Sequence, residues 1–83
     1  AAKYFKIAAD NGQVDACRMM GWFYAEGKGG LPQSYKDSFH YIKQAADQGD
    51  PTSLDNVGLY YHLGRGVEQS EDKSIFYYKL AAD

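Results

Sequence analysis

The tripeptide Ala-Ala-Asp occurs three times in this chain of 83 residues, and its spacing constrains the fold more than any other feature. The copies begin at Ala8, Ala45 and Ala81, so they are separated by 37 and then 36 residues. Other identical residues keep the first of these separations: Tyr4 and Tyr41, Gly21 and Gly58, Tyr24 and Tyr61, and Gly27 and Gly64. A period in the thirties is typical of helical repeats in which each unit is a helix–turn–helix pair.

In the segments that end with the second and third Ala-Ala-Asp, the apolar residues recur at steps of three and four, which is the periodicity of one helix face. In the segment that ends with the second Ala-Ala-Asp, these residues are Phe39, Ile42, Ala45 and Ala46. Ser34 and Ser70 are expected to cap the helices that follow them, and Asp50-Pro51 is typical of an N-cap followed by a first-turn proline. The sequence therefore predicts an all-α fold with helices over residues 1–11, 14–26, 35–48, 51–63 and 71–83.

A longer pattern occurs twice and resembles the Sel1-like repeat. The first copy runs Ala16-x-x-x-Met20-Gly21-x-x-Tyr24-x-x-Gly27-x-Gly29 and then Ser38-x-x-Tyr41-x-x-x-Ala45-Ala46-x-x-Gly49. The second runs Ser53-x-x-x-Val57-Gly58-x-x-Tyr61-x-x-Gly64-x-Gly66 and then Ser74-x-x-Tyr77-x-x-x-Ala81-Ala82. The chain departs from the family pattern by having Ser38, Ser53 and Ser74 where alanine is usual.

The resemblance implies a right-handed α-solenoid of antiparallel helix pairs, related to tetratricopeptide repeats, that acts as a scaffold for other proteins. Residues 1–12 are interpreted as the second helix of a preceding repeat, and residues 13–48 and 49–83 as two further repeats. The three segments are expected to form a single continuous array within a longer one. Uncapped repeat ends are expected to favour self-association and to leave the isolated chain marginally stable.

Charge and composition argue against several other classes of protein. The formal net charge is −2, and the nine Lys and Arg residues are scattered among eleven Asp and Glu, so neither a nucleic-acid partner nor direct membrane contact is expected. His40, His62 and Cys17 are the only histidines and cysteine, and they show no catalytic or metal-ligand spacing. We therefore expect no enzyme activity, no cofactor and no metal, while the sequence gives no indication of a cellular compartment.

The first helix of each tetratricopeptide-type pair lines the concave wall, and its helical phase identifies the residues that face outward. The candidate partner-binding residues are Arg18, Trp22, Glu26, Asp55, Leu59 and His62. Trp22 and Leu59 are the principal candidates because they are large, apolar and at the same phase in adjacent units. The alternatives are that both pack within the stack, and that Arg18 pairs with Asp15 or Asp55 instead of a partner carboxylate. Phe23 and Tyr60 are expected to pack against neighbouring helices.

The predicted function is that of a protein–protein interaction scaffold or adaptor that binds a peptide or a helix on its concave wall. Two alternatives are a structural spacer within a longer array and a docking or regulatory segment of a larger enzyme.

Overall fold

A computed structural model describes residues 2–83, which form five α-helices and contain no β-strand. The helices are α1 (Ala2–Asp10), α2 (Val14–Glu26), α3 (Tyr35–Asp47), α4 (Pro51–Leu63) and α5 (Glu71–Ala82). Each lies within the range predicted for it, which confirms the all-α prediction. The predicted start of the first helix falls on Ala1, outside the described residues.

Side-chain caps fix the beginnings of three helices. The hydroxyls of Ser34 and Ser70 each accept a hydrogen bond from the backbone N–H three residues later, at 3.1 and 3.2 Å. Asp50 caps α4 in the same way at 2.9 Å, and Pro51 occupies the first helical turn. The predicted caps are therefore confirmed, and those at Ser34 and Ser70 begin α3 and α5 at equivalent points of their repeats.

The helices pack against their neighbours in sequence, so the chain forms a stack of antiparallel helices that measures 35 × 23 × 13 Å. The same contacts recur in both units. The ring of Tyr24 stacks on that of Tyr41 with centroids 6.0 Å apart, and Tyr61 stacks on Tyr77 at 5.7 Å. These tyrosines are consequently framework residues of the repeat, as expected.

Gly21 and Gly58 stand inside helices because the next helix passes too close for a side chain. A Cβ atom on Gly21 would overlap Cγ1 of Ile42, and one on Gly58 would lie 3.0 Å from a ring carbon of Tyr78. Glycine costs roughly 1 kcal/mol relative to alanine inside a helix, and the tight helix contact offsets that cost.

Two apolar clusters form the core. The first lies among α1, α2 and α3, and its largest members are Met20, Phe23 and Tyr41. The second lies between α3 and α4 and is built from Ile42, Ala46, Leu54, Val57 and Tyr60. Phe23 and Tyr60 are thus buried between helices, which confirms that part of the prediction.

A buried polar contact links α2, α3 and α4. The fully buried Ser38 donates its hydroxyl proton to the carbonyl oxygen of Gly21 at 2.7 Å. The hydroxyl of Tyr60 lies 2.9 Å from the same serine oxygen. Since serine has only one hydroxyl proton, Tyr60 must be the donor in the second bond.

The apolar face predicted for α5 is formed but largely uncovered. Ile42 of α3 is buried by α4, whereas Tyr78, its counterpart in α5, is 37% exposed. Ile75, which lies on the same face, is more than half exposed, at 51%. The difference arises because no helix in the described part of the chain packs on this side of α5 as α4 does on α3.

Candidate functional site: the groove between α2 and α4

A groove of about 610 Å³ runs between α2 and α4, and we call it the α2–α4 groove. Its walls are the outward faces of the first helix of each pair, and its floor includes Gly21, Ile42 and Tyr60. The remaining lining residues come from α2, α3, α4 and the loop that follows α4: Asp15, Arg18, Met19, Trp22, Ala25, Glu26, Tyr35, Thr52, Asn56, Leu59 and Arg65.

Four of the six residues predicted to bind a partner are brought together here, namely Arg18, Trp22, Glu26 and Leu59. Asp55 and His62 are exposed on α4 but do not line the groove. Four residues of α4 line it and lie on the flank turned toward α2: Thr52, Asn56, Leu59 and Tyr60. Asp55 and His62 lie on the other flank. A contact between these two residues and a partner stays a prediction.

Trp22 and Leu59 supply the apolar surface of the groove. Trp22 is 46% exposed even though its ring packs on Phe23 at 5.4 Å and lies 5.0 Å from the ammonium group of Lys28. Leu59 is half-buried on the opposite wall. Packing within the stack therefore covers only part of the indole, and the rest is available to another molecule.

The charge of Arg18 is largely compensated within the chain. Its guanidinium group is hydrogen-bonded to Asp15, and its Nε lies 3.7 Å from a carboxylate oxygen of Asp50. The pKa of Arg18 is raised above its ordinary value, chiefly by the hydrogen bond with Asp15 and secondly by the negative charge of Asp50. Asp15 is one of the two partners considered from the sequence, whereas Asp50 takes the place of Asp55.

Arg65 and Tyr35 were missed by the sequence prediction. The guanidinium carbon of Arg65 lies 4.8 Å from the centroid of the Tyr35 ring, at the groove's edge. The signal that could have found Arg65 is its position, because it follows the glycine that ends α4 as Lys28 follows the glycine that ends α2.

The described residues offer little for catalysis or metal binding. Cys17 is fully buried, and its Sγ lies 3.6 Å from the carbonyl oxygen of Ala9. Burial raises the pKa of this thiol, the reverse of what activates a nucleophilic cysteine. His, Cys, Asp and Glu side chains of residues 2–83 nowhere gather in threes with a geometry suited to a metal ion. Within that same range, every helix is too short or too polar to cross a lipid bilayer.

Comparison with known proteins gives the same repeat along the whole chain. The family model described as Sel1 repeat matches residues 1–13, 14–50 and 51–83. The crystal structure of a Sel1 repeat protein from Oxalobacter formigenes superposes with a TM-score of 0.93 at 31% identity, covering 98% of this chain and 61% of that one. A search of curated proteins gave no significant match.

Two further solved structures share the fold. A protective antigen of uropathogenic Escherichia coli strains that displays an SLR fold is 35% identical, with a TM-score of 0.90 over 96% of this chain and 17% of that one. Helicobacter pylori cysteine rich protein B is 22% identical, with a TM-score of 0.91 over 98% of this chain and 60% of that one, and at that identity it shows the fold alone. The chain spans less than two thirds of each of these structures.

Sel1-repeat proteins are generally protein-interaction scaffolds and are typically non-catalytic. The family match over three consecutive segments agrees with the repeated caps, the stacked tyrosines and the paired glycine contacts of the structure. The chain belongs to the Sel1 repeat family.

Proposed function

We propose that this chain is a scaffold segment that binds a protein partner in the α2–α4 groove, as an extended peptide or as a helix. The observation that carries the proposal is the pair of large apolar side chains on opposite walls of the groove, Trp22 and Leu59. Covering exposed apolar surface in a concavity lowers the free energy of the complex, which favours binding. Tryptophan is also enriched among the residues that contribute most to interface energies.

The charges of the groove favour a protein over a nucleic acid or an anionic membrane. Arg18 and Arg65 line the groove together with Asp15 and Glu26, so its formal charge is balanced. Binding to a phosphate backbone or to anionic lipids depends on an excess of positive charge. Asp55 and His62 would be contacted by a partner that continues across α4 to its other flank.

The first test compares three forms of the protein: wild type, Trp22→Ala with Leu59→Ala, and Ile7→Ala with Phe76→Ala. The last is a matched control, since Ile7 and Phe76 are 57% and 56% exposed and lie outside the groove. Circular dichroism first establishes that all three are folded. Each is then used to capture proteins from the source organism, quantified by mass spectrometry.

We expect a partner that the wild type and the control retain and the groove variant loses. Burial of a large apolar side chain contributes about 1.5–3 kcal/mol, so loss of two should weaken binding by roughly 100-fold or more. Equal recovery of that partner by all three forms would place binding elsewhere on the array. A wild type that captures nothing would favour the spacer function.

A further inference from the structure

The two arginines of the α2–α4 groove differ in how their charges are compensated. Arg18 lies beside the carboxylates of Asp15 and Asp50. Arg65 has no carboxylate within 4.0 Å among residues 2–83, and its guanidinium makes no hydrogen bond to them. Arg65 is half-buried, yet none of its guanidinium nitrogens is fully buried, so its N–H donors remain accessible to another molecule.

The position of Arg65 is fixed from two directions. Its backbone N–H donates to the carbonyl oxygen of Tyr60 at 2.9 Å, which anchors the loop at the end of α4. Its guanidinium lies over the ring of Tyr35, which in turn packs edge-on against the ring of Tyr60 at 5.8 Å. A guanidinium held over a ring keeps its N–H donors free at the edge, and their fork matches a carboxylate.

We infer that the α2–α4 groove selects a protein segment that places a side-chain carboxylate on Arg65 while a large apolar side chain inserts between Trp22 and Leu59. This inference rests on the proposed function and names the partner's chemistry. Charge complementarity is its basis, because Arg65 is the groove cation that forms no ion pair within the described chain.

Glu26 limits how many carboxylates the partner segment can carry. It lines the same groove and makes no ion pair with any residue of the described chain. Arg65 therefore attracts a partner carboxylate, and Glu26 repels any further one. The segment recognised is consequently one in which an acidic residue stands at a defined separation from an aromatic or large aliphatic residue, instead of a uniformly acidic one.

The probe is a phage-displayed library of random peptides of about 12 residues, since an extended strand rises about 3.3 Å per residue and such a peptide can span the molecule. The longest dimension of the described chain is 35 Å. Selection uses the full chain, immobilised. The strongest binder is then synthesised twice, with its carboxylate side chains and with the corresponding amides.

Calorimetric titration measures both peptides against wild type, Arg65→Gln, and Lys36→Gln. Lys36 lies outside the groove, so its substitution controls for the loss of one positive charge. We expect Arg65→Gln and the amide peptide each to weaken binding by about 10-fold or more, and the two together by no more than either alone. Lys36→Gln should change the affinity by less than about 2-fold.

The outcomes separate the inference from the proposed function. A peptide that is lost with Trp22→Ala and Leu59→Ala but binds Arg65→Gln unchanged, and as well in its amide form, overturns the carboxylate inference alone. A selection that yields no binder, or binders indifferent to Trp22 and Leu59, overturns both. If Arg65→Gln does not fold, the comparison of the two peptides on the wild-type chain still decides the matter.

Discussion

The buried hydrogen bond between Ser38 and Tyr60 offers the sharpest test of how this fold is held together. Ser38 has no exposed surface and Tyr60 only 5%, and their oxygen atoms are 2.9 Å apart. Burial raises the pKa of the Tyr60 hydroxyl, so it remains protonated and can donate at neutral pH. The two substitutions Ser38→Ala and Tyr60→Phe remove different parts of this contact and should not be equivalent.

Ser38→Ala removes the hydrogen bond to Gly21 and also leaves the Tyr60 hydroxyl buried without an acceptor. We expect it to lower the free energy of unfolding by about 2–3 kcal/mol, most of it from the stranded hydroxyl. Tyr60→Phe leaves Ser38 bonded to Gly21, so it should cost only about 0.5–1.5 kcal/mol. The double variant strands no tyrosine hydroxyl, and we expect it to be about as stable as Ser38→Ala or somewhat more so.

Urea unfolding followed by circular dichroism measures all four proteins, and the double-mutant cycle gives the coupling energy. We expect about 1–2 kcal/mol. Ser74 is the matched control, because it is equally buried but forms no hydrogen bond with a tyrosine in the described chain. Ser74→Ala and Tyr60→Phe should therefore be additive. Additivity within about 0.5 kcal/mol for Ser38 and Tyr60 as well would refute the reasoning and show that water satisfies the tyrosine hydroxyl through the groove.

Three further predictions concern the helix contact, a helix cap and alkaline pH. Gly21→Ala should lower the free energy of unfolding by about 1–3 kcal/mol in urea titration, because the new methyl group would overlap the buried Ile42. Ser70→Ala should lower it by about 1 kcal/mol and reduce the amide protection of the first turn of α5 in hydrogen exchange, since it removes the cap. Burial raises the folded-state pKa of Cys17, so its contribution is fully present below the ordinary thiol value of 9.0 and is lost as pH rises above it; unfolding measured against pH should show a decline that is shallower in Cys17→Ala.

The helices could be predicted closely because their signals are local and occur more than once. Ser34 and Ser70 cap at equivalent points, and Gly21 and Gly58 mark equivalent close contacts. A residue's chemistry and its spacing are enough to interpret such features. Internal repetition strengthens such predictions, since a chance pattern seldom recurs at the same offset.

The groove was predicted less completely because its lining depends on how two helices are rotated toward each other. Helical phase placed Asp55 and His62 with Leu59 on one outward face. It could not tell which flank of that face turns toward α2, and the structure turns their flank away. Arg65 was missed for a related reason: it lies in a loop, where no helical period indicates direction.

Ser38, one of the three serines that depart from the family pattern, connects the core to the groove. The Ser38 oxygen accepts a hydrogen bond from the hydroxyl of Tyr60, whose ring forms part of the groove floor. The Tyr60 ring contacts the Tyr35 ring, and the Tyr35 ring in turn contacts the guanidinium of Arg65. Each group lies less than 6 Å from the next. We therefore expect Ser38→Ala to free the Tyr60 hydroxyl and to loosen the packing of Tyr60 against Tyr35. On this argument the Ser38–Tyr60 hydrogen bond also supports the surface on which the Arg65 guanidinium rests.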